Sequence, residues 1–394
     1  MGGCAVMAVK ASETKSSRRP TGPYLDAAWG LKNHWYPGVF SHELPEDGVQ
    51  GIQICGQPIL LRRTKGKVYG LSDRCIHRGV RMSKRPTCLT DSTITCWYHG
   101  FTYDLANGKL VSIVAAPDDK LIGKARIRTF PVEEYKGIVF VFVGDEDYAP
   151  LPALTDDLPM AVPDDYEFRA PHLLDDDVVL KGIHRTGQAN WRLACENGFD
   201  VGHVLIHQDN ALVLARNAAL PLGYKPLSNE AYRVIEGDGP KGLINDFGSE
   251  HFDLVLENKE LNISSGTSRY FGIRTSVFLP GVLMVENFPE LGATQFEWYV
   301  PIDEHTHTYW QVVAANCPDD EARKNFDFKY KNLHEPLALR DFNDHDLFAR
   351  EAMQPFYAEQ NGWENEVLCS LDTPVVTWRR IVSKHHRGIH PPPG

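Results

Sequence analysis

The chain reads as an α+β protein. A small antiparallel β unit is followed by a larger unit in which a strongly bent antiparallel sheet wraps a long helix. Three observations predict this. From residue 38 to about 150, short β-branched and aromatic runs are broken by tight-turn signals. Residues 145–163 are rich in Pro and Asp and interrupt that pattern as a linker. Beyond them, strand-like runs mix with longer stretches of helical period. With 394 residues there is enough chain for two cores. The expected divisions are 1–37 (tail and helix), 38–150 (the β unit) and 151–394 (the mixed unit).

Taken in order, residues 1–22 are small, polar and basic, which predicts disorder, and 23–33 predict a short helix. Residues 59–63 and 67–71 flank the turn Thr64-Lys65-Gly66 as paired strands. Residues 101–105 and 109–111 flank Asn107-Gly108, which predicts a type I′ hairpin turn. Residues 138–143 are β-branched and aromatic throughout, as in a buried strand. In the second unit, 191–206 predicts a helix, 277–285 and 294–300 predict strands, and 319–331 and 336–357 predict helices. No internal repeat is present.

Composition excludes several classes. The chain is 42% hydrophobic and 24% charged, without a low-complexity tract. No apolar run reaches the ~18–20 residues of a membrane span. Lys10 to Arg19 is polar and basic where a signal peptide would be apolar. Met1-Gly2 is followed by Val6 where N-myristoylation needs Ser or Thr. The expected location is the cytoplasm. A net charge of −11 argues against nucleic-acid binding. Of eight cysteines, Cys4, Cys55, Cys88, Cys195, Cys317 and Cys369 show no paired spacing and are read as unligated thiols.

Cys75 and Cys96 are different. Cys75-Ile76-His77 and Cys96-Trp97-Tyr98-His99 each join a thiolate to an imidazole, with 18 residues between the two groups. Two thiolates can hold one iron and two imidazoles the other, the donor set of a Rieske [2Fe-2S] cluster. Neutral imidazole in place of thiolate raises the cluster's net charge and potential. Each pair falls on a loop between strands, so two loop tips can converge. Around the first pair lie Arg62, Arg63, Lys65, Lys67, Arg74, Arg78, Arg81, Lys84 and Arg85 against Asp73 alone. A run of this kind is usually a solvated face. Framing a redox centre, it also suits the docking of an acidic electron donor.

A second constellation begins at Asp200. His203 and His207 are four apart, one helical turn, and Asp200 and Asn197 extend the same stripe. Such a seam beside Phe199, Val204, Leu205 and Ile206 is costly to bury without partners. A third ligand would be a carboxylate elsewhere. In 336–353, Leu339, Phe342, Asp346, Ala349 and Met353 share one helical stripe, apolar except for Asp346. Asp341 and Asp344 fall on polar faces. Asp346 is then either a metal ligand or a buried ion-pair partner of Arg350. Two histidines and a carboxylate form the facial triad of a mononuclear non-haem Fe(II) site with open positions.

Cys75, His77, Arg78 and Gly79, then Cys96, His99 and Gly100, then Asn190-Trp191, Glu196-Asn197 and Asp-x2-His-x3-His resemble the terminal subunits of Rieske non-haem iron oxygenases over nearly the whole chain. Within that family the carbazole-dioxygenating group is most similar. Residues 31–37, 92–99, 190–194, 196–200, 295–301 and 349–353 carry that likeness. Two departures stand out: the N-terminal extension, and a His203–His207 spacing one residue shorter than in the naphthalene and biphenyl enzymes.

The resemblance implies one Rieske cluster and one Fe(II) per chain, the latter on His203, His207 and Asp346. It implies a ferredoxin or reductase as donor, and a homotrimer in which the cluster of one subunit feeds the iron of its neighbour. Asp200 then bridges a cluster histidine to His203 across that interface. Asp200 and Asn197 are the candidate catalytic residues. The substrate pocket would be Gly198, Leu283, Val285, Phe288, Gln295, Glu297 and Phe342, with the Gly198 carbonyl accepting from a carbazole N–H; Leu283, Val285 and Phe288 also suit plain core. The expected reaction adds both atoms of O2 to adjacent carbons of a fused aromatic or heteroaromatic substrate, with angular attack on carbazole beside its nitrogen as the leading case. Alternatives are a Rieske monooxygenase of the O- or N-demethylase type, which shares every ligand, an electron carrier alone, and a structural zinc site, which would be closed and sulfur-rich.

Overall fold

The structure, a computed structural model, describes residues 21–161, 170–207, 209–215, 232–245, 251–256, 259–264 and 274–392. The expected disorder of residues 1–22 lies, but for its last two positions, outside the described residues, as does Cys4. The short N-terminal helix is α1 (Gly22–Asp26), a single turn.

Three small sheets come next, made from β1 (His34–Phe40), β2 (Val49–Ile54), β3 (Gln57–Thr64), β4 (Lys67–Ser72), β5 (Thr93–Thr95), β6 (Phe101–Asp104), β7 (Leu110–Ile113), β8 (Thr129–Phe130), β9 (Val132–Tyr135) and β10 (Ile138–Val143). Their orders are β2-β3-β4-β8, β5-β6-β7 and β1-β10-β9, with antiparallel pairing throughout. Every residue of β10 is buried, as its apolar run predicts.

The hairpin turns differ from expectation in one respect. At Lys65-Gly66 both residues have positive φ, 51° and 72°, the backbone of a type I′ turn, and Thr64 pairs with Lys67 across it. Asn107-Gly108 does not form such a turn. Only Gly108 is left-handed, at φ 70°. The Asp104 carboxylate accepts from the amides of Ala106 and Asn107, and this local bonding builds a longer loop.

The expected linker is exposed at its start but anchored further on, where Leu154, Asp157 and Leu158 are buried. Asp157 is buried, accepts from the Trp35 amide at 2.8 Å, and pairs with His34 and Arg387. It ties the first strand to the C-terminal segment.

The second unit begins with β11 (Val178–Gly187). Its strands continue as β12 (Tyr232–Ile235), β13 (Gly242–Asn245), β14 (His251–Leu256), β15 (Lys259–Ser264), β16 (Arg274–Phe278), β17 (Val282–Glu286), β18 (Ala293–Pro301) and β19 (His307–Asn316). Among the described residues, one antiparallel sheet runs β11-β19-β18-β17-β16-β13-β12, and β14-β15 forms a separate hairpin. The strand expected over 277–285 is two strands, because Leu279-Pro280-Gly281 turns the chain between β16 and β17.

The faces of β18 alternate. Phe296 and Trp298 pack with Trp310 against Trp35, Phe140 and Phe142 of the first unit. Tyr299 points the other way, into a core shared with α2 (Trp191–Phe199). The helices α3 (Ala211–Ala215), α4 (Asp320–Lys329), α5 (Asn343–Glu359), α6 (Gly362–Asn365) and α7 (Thr373–His385) complete the described elements.

Two helical expectations need correction. The helix of 191–206 ends at Phe199; Asp200 caps it, and Val201–His207 is a tighter 3-10 segment. The helices of 319–331 and 336–357 are one continuous rod in which Tyr330–Phe342 widens into a π-helix containing Pro336. Proline has no amide to donate, and the wider winding shifts the helical phase of every residue after it. The buried stripe of α5 is therefore Asn343, Asp346 and Arg350, while Ala349 and Met353 are only partly buried.

Candidate functional site

The first site sits on the loops after β4 and β5. Cys75 and Cys96 are buried, and the Cys75 Sγ lies 3.3 Å from the Tyr103 hydroxyl. The amides of Gly79 and Gly100 close tight loops onto the carbonyls of Cys75 and Cys96, so each Cys–His pair occupies one turn. His77 Nδ1 and His99 Nδ1 face each other at 3.1 Å. Two imidazoles on one tetrahedral ion with ~2.1 Å bonds would stand about 3.4 Å apart, so this pair suits a shared iron. Cysteine sulfurs inside and histidines at the surface match an [Fe–S] group with one solvent-facing iron. Ile76, Trp97 and Tyr98 are exposed beside it.

The basic run around these loops is thinner than the sequence suggests. Arg62 is buried and donates to the Thr93 carbonyl. Arg63 makes a two-pronged pair with Glu134 at 2.8 and 3.0 Å. Lys65 pairs with Asp91, and Arg81 donates to Gln53. Lys67, Arg74, Arg78, Lys84 and Arg85 remain exposed. Cys88 is an exposed free thiol, away from the ligand role it could be mistaken for.

The second site joins the 3-10 segment to α5. His203 Nε2 stands 3.2 Å and His207 Nε2 3.6 Å from Asp346 Oδ1. One donor atom from each of the three lies within 4.8 Å of the others. Their chemistry fits a divalent ion: Asp346 Oδ1 and both His207 nitrogens are buried with no hydrogen-bond partner. His203 Nδ1 is turned to the Asp200 carbonyl, which directs Nε2 to the centre. Burial lowers the His207 pKa, so its imidazole stays neutral, as a ligand must. For His203 burial also lowers the pKa, but contact with Asp346 outweighs it and the net shift is upward; a metal ion would take that proton's place. Burial alone would raise the Asp346 carboxyl, yet the two histidines bring it far below the usual carboxylate range. Asp341 and Asp344 turn elsewhere, to Asn210 and Arg185.

The Arg350 alternative is not what forms. Arg350 Nε donates to Asn197 Oδ1 at 2.5 Å. Asn197 is thus engaged and buried. The Asp200 carboxylate does not reach His203 either; it accepts from the Gly202 amide at 2.8 Å, and its backbone carbonyl serves the histidine instead. Burial raises the Asp200 carboxyl.

The expected pocket residues fall into two groups. Phe342 stacks on His207 at 3.8 Å and meets Phe288 at 5.1 Å between ring centres. Leu283 and Val285 belong to the core against α2. Glu297 is buried and accepts from Gln295 Nε2 (2.5 Å), Tyr299 OH (2.5 Å) and Asn343 Nδ2 (3.2 Å). Its carboxylate is occupied by protein donors. Gly198 lies against Tyr299, whose hydroxyl oxygen would be 1.9 Å from an added Cβ. Asn343 was missed from the sequence, since a polar residue there reads as solvent-facing; the bond of Arg350 to Asn197 was missed because Arg350 was paired with Asp346 and Asn197 placed on the stripe of the histidines.

Comparison with known proteins agrees with both sites. Residues 34–131 match the Rieske [2Fe-2S] domain, and residues 142–390 match the homotrimeric ring hydroxylases. The chain is 42% identical to the terminal oxygenase component of carbazole 1,9a-dioxygenase from Metapseudomonas resinovorans, over 93% of this chain and 94% of that protein. Its fold is similar to that of a 2-oxoquinoline 8-monooxygenase component (TM-score 0.88, 48% identity, 96% of this chain and 92% of that one). It is also similar to the carbazole 1,9a-dioxygenase terminal oxygenase of Nocardioides aromaticivorans IC177 (TM-score 0.85, 38% identity, 94% and 98%). An electron carrier alone is ruled out, because the hydroxylase match covers the second unit. The chain belongs to the homotrimeric ring hydroxylases, Rieske non-haem iron oxygenases with one [2Fe-2S] cluster and one mononuclear iron per chain.

Proposed function

We propose that this chain is a terminal oxygenase that draws electrons from a ferredoxin and adds both atoms of dioxygen to adjacent carbons of a fused nitrogen heteroaromatic, with angular attack on carbazole as the leading case. The observation that carries this is the approach of His203, His207 and Asp346 to one point, beside the aromatic pair Phe342 and Phe288. When bound, the cluster supplies single electrons and the ferrous ion a site for activating dioxygen.

The chain's own residues orient and enclose. His203, His207 and Asp346 hold the ion; Cys75, Cys96, His77 and His99 hold the cluster. Phe342, flat against His207, excludes water from one side of the site. Gly198 stands in the last turn of α2, where carbonyls lack helical partners. Its carbonyl can accept from a substrate N–H, while Leu283, Val285, Phe288, Gln295, Glu297 and Phe342 bound the ring. Asp200 is the relay across the subunit interface, holding His203 through its backbone carbonyl while its carboxylate, on the Gly202 amide, is the group to meet the neighbouring subunit. Its support is local: half-buried Asp200 and Gly202 lie beside the exposed Leu371, and the cluster loops expose Ile76, Trp97 and Tyr98. Apolar surface at both ends suits a trimer contact.

The division of the chain at about residue 150 is supported by the two family matches, 34–131 and 142–390. Five cysteines outside the cluster pairs, Cys55, Cys88, Cys195, Cys317 and Cys369, are free thiols among the described residues and suit a reducing compartment, so we assign the activity to the cytoplasm. No helix of the described residues is long and apolar enough to cross a membrane.

One observation favours a second reading, insertion of a single oxygen atom: the 48% identity to a 2-oxoquinoline 8-monooxygenase component. Turnover of carbazole and of 2-oxoquinoline under oxygen-18 gas separates them. Two labelled atoms in one diol support dioxygenation. One label supports monooxygenation. No product from either substrate, with donor reduced and iron complete, rejects both.

A further inference from the structure

Between α2, β18 and α5 lies one buried cation that neither metal site explains. Arg350 is completely buried, one helical turn beyond Asp346. Its Nε donates to Asn197 Oδ1, and its Nη2 stands 3.8 Å from Glu297 Oε2. The guanidinium carbon is 4.4 Å from the Tyr309 ring centre and 5.1 Å from that of Tyr299. Nη1 and Nη2 are buried with no hydrogen-bond partner. A guanidinium has five donors, and leaving most of them unmet away from water is costly. What offsets this is charge. Asp346 acts on it through charge, and Glu297, whose carboxyl burial pushes up while Arg350 pulls it down, accepts from three donors.

We infer that Arg350 is a positioning residue of the mononuclear iron site: it bolts α2, which leads into His203 and His207, to α5, which carries Asp346, and its charge favours the ferrous over the ferric ion. This rests on the three-ligand reading proposed above. The bolt is the Arg350–Asn197 bond, which spans the only two helices that lead directly to the ligands among the described residues. Sliding α5 along α2 would pull Asp346 Oδ1 from the two histidine nitrogens. The charge effect is Coulombic. A fixed cation in a dry interior opposes a third positive charge on a neighbouring ion. Lysine would not substitute, because the planar fork lies over two tyrosine rings while donating in its own plane.

The test uses the holoenzyme and three variants, Arg350→Gln, Arg350→Lys and Asn197→Leu. Two quantities are read besides turnover. One is the rate at which a ferrous chelator removes the mononuclear iron. The other is the rate at which a high-spin ferric EPR signal grows in air. The visible spectrum of the cluster is the internal control. Arg350→Gln is expected to lose iron at least tenfold faster and to become ferric faster, with the cluster spectrum unchanged. Asn197→Leu should lose iron faster while keeping the wild-type oxidation rate, since the cation remains. Arg350→Lys should keep the ferrous bias but not the iron retention. If Arg350→Gln fails to fold, Arg350→Met removes the charge in its place, and the Lys and Leu variants still test the bolt. Wild-type iron loss and oxidation in all folded variants would overturn the inference alone. A wild-type holoenzyme without mononuclear iron would overturn the three-ligand reading with it.

Discussion

Substituting Gly198 by alanine should destabilise this protein, although alanine is the better helix former. The residue lies inside α2, where the exchange by itself gains about 1 kcal/mol. The new Cβ would sit 1.9 Å from the Tyr299 hydroxyl oxygen, 2.9 Å from Cζ and 3.2 Å from Leu283 Cδ2. Real Cβ atoms do not tolerate the first two distances. Tyr299 is buried and stacked on Tyr309, so its ring cannot swing aside freely. Overpacking of this kind costs about 1–3 kcal/mol. Moving the hydroxyl also breaks its 2.5 Å bond to Glu297, and a bond to a charged group contributes about 1.5–3 kcal/mol. The balance is a loss of roughly 1.5–5 kcal/mol. At about 2–4 °C per kcal/mol for a domain of this size, the melting temperature should fall by roughly 3–20 °C. Differential scanning calorimetry of the holoenzyme measures it. The double variant with Tyr299→Phe should recover part of the loss, because it removes the closest atom. A Gly198→Ala protein that melts at or above the wild-type temperature would refute the packing described for this site.

Charge and burial set two further expectations. Reduction by an acidic ferredoxin should slow roughly tenfold between low and high salt, and Arg78→Gln with Lys84→Gln should lower the low-salt rate and flatten that dependence; a rate indifferent to salt in the wild type contradicts docking on the exposed Arg74, Arg78, Lys84 and Arg85. His307 is completely buried, and burial pushes its pKa down to about 3. Because the unfolded chain takes up that proton first, the stability held by neutral His307 is complete above pH ~6.5 and is lost as pH falls toward its folded value, with about 2 kcal/mol gone by pH 5. Melting temperature against pH should therefore be flatter between pH 6.5 and 5 in His307→Gln than in the wild type, and equal slopes would show that His307 does not carry the effect.

The parts legible in the sequence were those fixed by short spacing. Cys75, His77, Cys96 and His99 each belong to a single turn, so their convergence depends only on two loops meeting. His203, His207 and Asp346 were reached through a less secure route. An α-helical phase points to them, whereas the histidines ride a 3-10 segment and Asp346 comes after a π-helical stretch. Their approach depends on tertiary packing of α2 on α5, which outweighs local period. The same π-helix explains why the burial of Asn343 was missed: it rotates that residue inward. Arg62 shows a related limit. Within a basic run it reads as solvated, yet its β3 position turns it into the interior, where the Thr93 carbonyl receives it. Asn107-Gly108 is a stronger type I′ signal than Lys65-Gly66, but Asp104 supplies side-chain acceptors that reward a longer loop.

Oxygenase chemistry in this chain depends on a separate iron held by two imidazoles and one carboxylate, and counting iron and acid-labile sulfide in Asp346→Ala beside the wild type tests that most directly. The wild type should contain about three irons and two sulfides per chain, and the variant about two of each, with its cluster absorption intact. A variant that still holds three irons, or a wild type that holds only two, would contradict it.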